Sequence, residues 1–388
     1  MEYSELRQII EGLPRWTGTK NFPKALVVNN GFHGTFNLSF SEPELLLAFD
    51  SYITVTKSLI YTKIQPCIRH NDFIDKIANK IDLYKYLGLF EMADISGVIC
   101  LPDKAYFKET AEFTIESLWN FLIKKLNFDK DKLYIKYFSG GNIKDVTENK
   151  YNINKEISPD KLGTKKWGEL GLNEKNFIPD KTRDTFLALY LGRPTTWGYR
   201  QEVLYEFHGE LLDIATVIYN VWEPIMRGDE VIDIKDWDSI GCVSAIGVER
   251  ILMVKNDFGC LVECSHIYPL QCLIIKDAQN KNQDEAQIAT EAIRIIHRII
   301  TDCGSYENLS GKRRQKIRKY FFYLKDSLNK LKIQITEKNI LKYLKLNAEL
   351  QKHYPELKQG IPNTMSRFVE YVKVYEKLFK NQEVNNVS

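Results

Sequence analysis

The chain has 388 residues, of which 44% are hydrophobic and 27% charged, a balance that favours a soluble globular protein and argues against extensive disorder. A net charge of only +3 neither requires a polyanionic partner nor excludes a local basic surface. The acidic N-terminus does not resemble a signal peptide, and no apolar run approaches the roughly 18 residues of a membrane span. Seven scattered cysteines favour reduced thiols, so we expect a cytoplasmic protein without a membrane partner.

The first half of the chain predicts short strands and one amphipathic helix. Strands are expected at residues 63–68 and 87–92, joined by a long charged loop. Residues 110–126 carry apolar side chains at helical spacing and predict a helix. Residues 142–184 are polar and rich in Lys, Asn, Asp and Gly, which predicts surface loops.

The second half changes from strands to helices. Strand patterns lie at residues 202–207 and 215–222, and a Gly-punctuated entry into an apolar helix lies at 241–254. Residues 285–302 and 311–346 then show helical periodicity. This change in composition predicts two domains, 1–265 and 266–388.

Three sequence segments carry the chemistry. They read QPCIRHND at 65–72, LFEM at 89–92 and AIGVERI at 245–251. In this order they resemble the catalytic domain of alanyl-tRNA synthetase, a class II aminoacyl-tRNA synthetase. The first two segments resemble class II motif 2 and the third resembles motif 3. Tyr219-Asn220 resembles the family strand whose Asn lies in the active site.

The resemblance implies an α+β fold. Residues 1–265 would form a class II synthetase-like antiparallel sheet flanked by helices. Residues 266–388 would form a smaller, all-helical domain, a truncated relative of the tRNA-binding region. The implied activity is that of an adenylate-forming ligase that uses ATP and Mg²⁺ to convert a small amino acid or related carboxylic acid into an acyl-adenylate.

Two arginines are the implied catalytic residues, because a guanidinium stays charged and binds phosphate oxygens bidentately. Arg69 would contact the α-phosphate and the attacking carboxylate, and Arg250 would lie against the adenine and the γ-phosphate. Phe90 would stack on the other adenine face. The full set implied to contact ATP is Arg69, His70, Asp72, Phe90, Glu91, Asn220, Glu249 and Arg250. The implied substrate pocket comprises Met92, Leu187, Glu202, Asn220, Val243 and Ala245.

The chain departs from the family pattern near the substrate. Arg69 directly precedes His70, without the family's short Gly-rich insert. The Gly-Pro-Cys repeat is replaced by a longer segment that adds Arg193 and Arg200. Val243 stands where the family carries the Asp that pairs with the substrate ammonium, and Leu187 stands where it carries a pocket Trp. The sequence also shows no HxxxH with a later Cys-x-x-x-His, so we expect neither the family's zinc-dependent editing domain nor its C-terminal oligomerising domain.

These departures favour transfer of the acyl group to a carrier protein or a small-molecule acceptor. The alternatives are tRNA aminoacylation and a non-catalytic paralogue that binds RNA or a protein. The basic, aromatic-rich run at 311–332 is equally consistent with an RNA-backbone surface and with a solvated helix face. Class II cores often pair, which allows a homodimer.

Four potential metal ligands lie close together in the sequence, at Cys260, Cys264, His266 and Cys272. They lack a Cys-x-x-Cys pair and lie in an apolar stretch. A buried-core role is therefore favoured over zinc binding, and no metal ligands are assigned in this chain.

Overall fold

The computed structural model describes residues 1–28, 36, 42–50, 58–191 and 193–385. The strands within these residues are β1 (Lys20–Asn21), β2 (Leu59–Ile68), β3 (Leu89–Cys100), β4 (Leu133–Phe138), β5 (Gly141–Asn142), β6 (Glu156–Ile157), β7 (Phe177–Asp180), β8 (Phe186–Tyr190), β9 (Pro194–Phe207), β10 (Glu210–Arg227) and β11 (Glu230–Gly247). The helices are α1 (Tyr3–Glu11), α2 (Pro14–Thr17), α3 (Glu42–Phe49), α4 (His70–Asp72), α5 (Lys104–Trp119), α6 (Ile143–Val146), α7 (Lys161–Glu169), α8 (Val248–Asn256), α9 (Tyr268–Asp277), α10 (Gln283–Cys303), α11 (Gly311–Lys330), α12 (Glu337–Leu350) and α13 (Glu356–Asn385).

One large sheet organises the first two thirds of the chain. Its strands run in the order β1-β2-β3-β11-β10-β9-β4-β7, and β8 pairs with β9. The pairs are antiparallel except β1 with β2 and β4 with β7. Strands β9, β10 and β11 are consecutive hairpins, a connection that antiparallel pairing allows through short turns.

The two faces of the sheet have different neighbours. Side chains alternate between faces along a strand, and β10 shows this alternation clearly. Val217 and Tyr219 enter a buried core that also contains side chains of α1, α5 and α8. Thr216, Ile218 and Asn220 point the other way and line an open pocket.

After α8, the residues that the structure describes form helices joined by short connections. Helix α10 lies at the centre of its core, and its Ile293 and Ile296 are completely buried. The same apolar cluster includes Ile68, Phe73 and Leu89 from the β2–β3 region. The helices therefore pack directly behind the start of β3, and the predicted boundary near residue 265 stays a prediction. No described helix combines the length and apolar character needed to cross a membrane.

This architecture confirms the predicted α+β class, a mainly antiparallel sheet flanked by helices and followed by a helical region. Two local predictions are wrong. The segment after Arg69 is helical, because Phe73 and Ile77 are fully buried and anchor a π-helical turn. The polar stretch 142–184 includes α7, whose buried Trp167 donates a hydrogen bond to Gln201 Oε1 at 2.7 Å.

Candidate active site

A pocket of about 220 Å³ lies on the open face of the sheet, above β3, β11, β10 and β9. It collects residues that are far apart in the sequence. Of the residues implied to form the site, those that line it are Arg69, Asp72, Phe90, Met92, Leu187, Asn220, Val243, Glu249 and Arg250.

The strand register sets the pocket floor. Ile218 at the centre of β10 pairs with Arg200 on β9 and with Val243 on β11. Two residues further along, Asn220 pairs with Gly198 and Gly241. A Cβ atom at Gly198 would lie 1.6 Å from the backbone oxygen of Tyr219, so β9 can approach β10 this closely only with glycine at that position.

Arg69 and Arg250 enter the pocket from different elements. Arg69 follows β2, and its Cζ lies 5.1 Å from the ring centroid of Phe90. Its Nη1 is 3.8 Å from Asp72 Oδ2. Arg250 lies in the first turn of α8, and its Nη1 donates to the Asp213 carboxylate and to the Asp213 backbone oxygen, both at 2.7 Å.

The Asp72 carboxyl lies within the electrostatic influence of both arginines. Burial raises its pKa above the ordinary range, and the charges of Arg69 and Arg250 oppose that rise. Both guanidinium groups therefore act on one carboxylate at the edge of the pocket. The geometry suits a multiply charged anion, because two guanidinium groups, each oriented by its own carboxylate, line the same pocket.

A buried pair of titratable groups lies behind the pocket. Glu249 accepts hydrogen bonds from the Glu91 backbone N–H at 3.0 and 3.2 Å, and its Oε1 is 3.2 Å from His266 Nε2. Burial raises the pKa of Glu249 to about 7 and lowers that of His266 to about 3. At neutral pH a partly protonated carboxyl therefore faces a neutral imidazole.

Replacing Glu249 by glutamine should change how stability depends on pH. The folded protein binds this proton more tightly than the unfolded chain does, so the wild-type free energy of unfolding should fall as pH rises from about 5 to about 8. The loss from this group is about 2 to 3 kcal/mol. Glu249→Gln lacks that loss, so its stability relative to wild type should increase over the same interval.

Urea denaturation at the two pH values measures this difference. Glu230→Gln is the matched control, because it makes the same chemical change at a side chain that is 63% exposed at a hairpin end. Parallel pH profiles for Glu249→Gln and wild type would contradict the assignment.

Four predicted site residues have other surroundings. His70 is buried, and its Nδ1 lies 2.8 Å from the Tyr320 hydroxyl on α11. The Glu91 side chain points to the opposite face and pairs with Arg7 at 2.8 Å. Glu202 pairs with Arg200. Ala245 is buried in a small apolar cluster beside Met92 and Val243.

Three charged pocket residues were not assigned to the site from sequence. Lys85, which pairs with Glu210, comes from the segment expected to be a loop. Asp213, which orients Arg250, begins the apolar part of β10 and matches no motif. Arg200 is visible in the sequence as an added cation, but only the register of β9 shows that it faces the pocket.

The four clustered thiol and imidazole groups do not converge. Cys272 is exposed, whereas Cys264 and His266 are buried. Cys264 donates to the Glu249 backbone oxygen at 3.7 Å, and the His266 ring stacks on Tyr3 at 3.8 Å. Among the described residues, no group of three or more His, Cys, Asp or Glu side chains could hold a metal ion.

No family model and no curated protein sequence matches this chain. Solved structures similar to it include histidyl-tRNA synthetase of S. aureus, with 10% identity over 68% of each chain and a TM-score of 0.38. A pyrrolysyl tRNA synthetase of Desulfitobacterium hafniense is 9% identical over 67% of this chain and 71% of that one, with a TM-score of 0.35. A threonyl-tRNA synthetase of Aeropyrum pernix is 9% identical over 75% of this chain and 68% of that one, with a TM-score of 0.40. Likenesses this weak assign no activity to the chain.

Proposed function

We propose that this protein is an adenylate-forming ligase that uses ATP and Mg²⁺ to activate a small carboxylic acid. One observation carries the proposal. Arg69 and Arg250, distant in the sequence, line one pocket together with the ring of Phe90. Each arginine has a carboxylate partner in that pocket, Asp72 for the first and Asp213 for the second.

The chemistry requires charge to be held in place. An oxygen of the acid attacks the α-phosphorus of ATP, the bond from that phosphorus to the bridging oxygen breaks, and pyrophosphate leaves with the electron pair. Arg69 binds the α-phosphate and the attacking carboxylate, which brings the two reactants together. Arg250 is already fixed by Asp213, so it can bind phosphate and adenine without reorganising.

The residues present fit a magnesium ion shared with the nucleotide. Mg²⁺ is usually held by one or two carboxylates together with substrate phosphates. Asp72 and Asp213 supply carboxylate oxygens beside the two arginines, and when bound the ion would neutralise phosphate charge.

The substrate acid should not be L-alanine. Val243 is 1% exposed on the pocket floor, and its apolar side chain cannot accept a hydrogen bond from an ammonium group. Two nearby acids on the same sheet do not supply the missing charge, since Glu202 pairs with Arg200 at 2.9 Å and Glu223 pairs with Lys235 at 2.6 Å. Neither is among the residues that line the described pocket. An unpaired buried polar group costs about 1 to 3 kcal/mol, and a charge costs more.

ATP–pyrophosphate exchange with a panel of acids tests both the proposed reaction and this prediction. We expect magnesium-dependent exchange with at least one acid and weak or absent exchange with L-alanine. Robust, selective activation of L-alanine would refute the substrate prediction. A folded protein that exchanges with none of the acids would refute adenylate formation and favour the non-catalytic alternative.

The acyl group should pass to a carrier protein or a small amine. One observation favours tRNA as the second candidate acceptor. The basic helix α11 contacts the segment that begins at Arg69, through the hydrogen bond between Tyr320 and His70. Its cations are close together, since burial and the neighbouring charges of Arg313, Lys312 and Lys319 lower the pKa of Lys316.

A comparison of exchange and acyl transfer with and without tRNA separates the two acceptors. Binding of tRNA through phosphate contacts should weaken steeply with salt. Transfer to a carrier protein or an amine in the absence of tRNA would favour the first candidate.

A further inference from the structure

Arg200 brings a positive charge to the part of the pocket that contains Val243. The resemblance places an Asp, a negative charge, at position 243. Arg200 on β9 and Val243 on β11 both pair with Ile218 on β10. Residues paired directly across antiparallel strands share a face and lie about 5 Å from their neighbours. All three line the pocket, so the Arg200 guanidinium approaches the same region from two strands away.

Arg200 keeps donors available for a ligand. Its Nη2 donates to Glu202 Oε1 at 2.9 Å, whereas a guanidinium carries five N–H donors. The side chain is 29% exposed. The carboxylate of Glu202 also lies 3.6 Å from Lys136 Nζ, and Lys136 pairs with Asp184 at 2.7 Å. These contacts hold the Glu202 carboxylate between Arg200 and Lys136.

A second donor lies next to Arg200. Asn220 is completely buried, and its Oδ1 accepts a hydrogen bond from the Thr196 hydroxyl at 3.0 Å. Its Nδ2 is buried and has no hydrogen-bond partner in the described structure. Buried polar groups are rarely left this way. Asn220 pairs with Gly198 and is therefore a diagonal neighbour of Arg200, within reach of a long side chain.

The carboxylates that line the described part of the pocket pair with groups other than Arg200. Asp72 pairs with Arg69, and Asp213 pairs with Arg250. Glu249 faces the Glu91 backbone and His266. The carboxylate beside Arg200 is that of Glu202, and it is already shared between Arg200 and Lys136. A positively charged substituent on the substrate would therefore meet the Arg200 guanidinium with no uncommitted carboxylate beside it among the described residues.

We propose that Arg200 is a specificity-determining residue that selects an acid carrying a second anionic group, such as a dicarboxylic acid. Asn220 donates a hydrogen bond to that same group. This inference rests on the proposed function, in which Arg69 presents the other carboxylate of the substrate to ATP.

Calorimetric binding with three probes of equal carbon-chain length tests the proposal. Succinate ends in a carboxylate, butyrate in a methyl group and γ-aminobutyrate in an ammonium group. The wild type should bind succinate roughly tenfold to a hundredfold more tightly than butyrate, the value of a charge-assisted hydrogen bond. It should bind γ-aminobutyrate most weakly.

Variants test whether Arg200 causes the preference for succinate. Arg200→Gln should bind succinate and butyrate about equally, and Arg200→Glu should favour γ-aminobutyrate over succinate. Arg193→Gln is the matched control from the same segment, because Arg193 pairs with Asp50 and is not among the lining residues of the described pocket. It should keep the wild-type order.

Two results would overturn the proposal. One is a wild type that binds butyrate or γ-aminobutyrate as tightly as succinate, a result that does not depend on whether any variant folds. The other is a folded Arg200→Gln variant that keeps the wild-type preference.

Exchange assays on the same proteins separate this proposal from the proposed function. Arg200-dependent succinate binding without exchange for any acid would support the anion site and refute adenylation. Exchange that is equal for succinate and butyrate and unaffected by Arg200→Gln would refute the anion site and support adenylation.

Discussion

Replacing Arg69 by alanine should reduce acyl-adenylate formation by about 10²- to 10³-fold, which corresponds to roughly 3 to 4 kcal/mol of transition-state stabilisation. The guanidinium lies over Phe90 and lines the pocket together with Asp72 and Arg250. Removing it deletes the group placed to hold the α-phosphate and the attacking carboxylate together. ATP–pyrophosphate exchange measured as kcat/KM gives the size of the loss.

A conservative variant separates the effect of the positive charge at position 69 from the effect of the guanidinium geometry. Arg69→Lys keeps the positive charge but loses the planar fork that binds two oxygens at once, so its activity should fall between those of wild type and Arg69→Ala. Arg15→Ala, an exposed position on α2, should exchange at the wild-type rate. An Arg69→Ala protein as active as wild type would show that the motif 2 assignment is wrong.

The parts of the site that sequence could predict are those tied to short, ordered motifs. Arg69 follows β2, Phe90 is the second residue of β3 and lies opposite Cys67, and Arg250 lies in the first turn of α8, directly after β11. Local sequence fixes each of these positions. Their order along the chain, together with the resemblance to class II synthetases, therefore predicted that they would share a pocket.

Neighbours in a motif proved harder to assign, because adjacent residues in a strand point to opposite faces. Phe90 and Met92 line the pocket, whereas Glu91 between them points to Arg7. His70 turns away for a different reason. It begins a helical turn and meets Tyr320, a partner 250 residues distant that no local pattern indicates.

The remaining pocket residues depend on register. Arg200 and Asp213 belong to β9 and β10, whose pairing shifts by one residue between Asp213 and Ala215. A one-residue change in pairing decides which side chains share a face, and sequence alone does not specify it. The helical region was predictable as helices, but its packing onto Ile68 and Leu89 was not, since such contacts need the fold first.

A buried ionic network holds the back of the site together. Arg7 on α1 donates through Nη1 to Glu91 Oε1 at 2.8 Å and to the Tyr354 hydroxyl at 3.0 Å. The side chains of Arg7 and Glu91 are only 7% and 6% exposed. Glu91 in turn donates its backbone N–H to Glu249, the residue before Arg250. The network therefore connects the N-terminal helix, the sheet and the segment after α12.

Replacing Arg7 by alanine should destabilise the fold by about 3 to 5 kcal/mol, because it leaves the Glu91 carboxylate buried without its cation. Urea denaturation measures the loss. The double variant Arg7→Met with Glu91→Gln removes both charges and should recover much of it, since the main penalty comes from the unpaired charge. Arg227→Ala is the control, because its ion pair with Glu230 is 74% and 63% exposed and should contribute no measurable stability. A loss for Arg7→Ala no larger than for this control would show that Glu91 does not depend on Arg7.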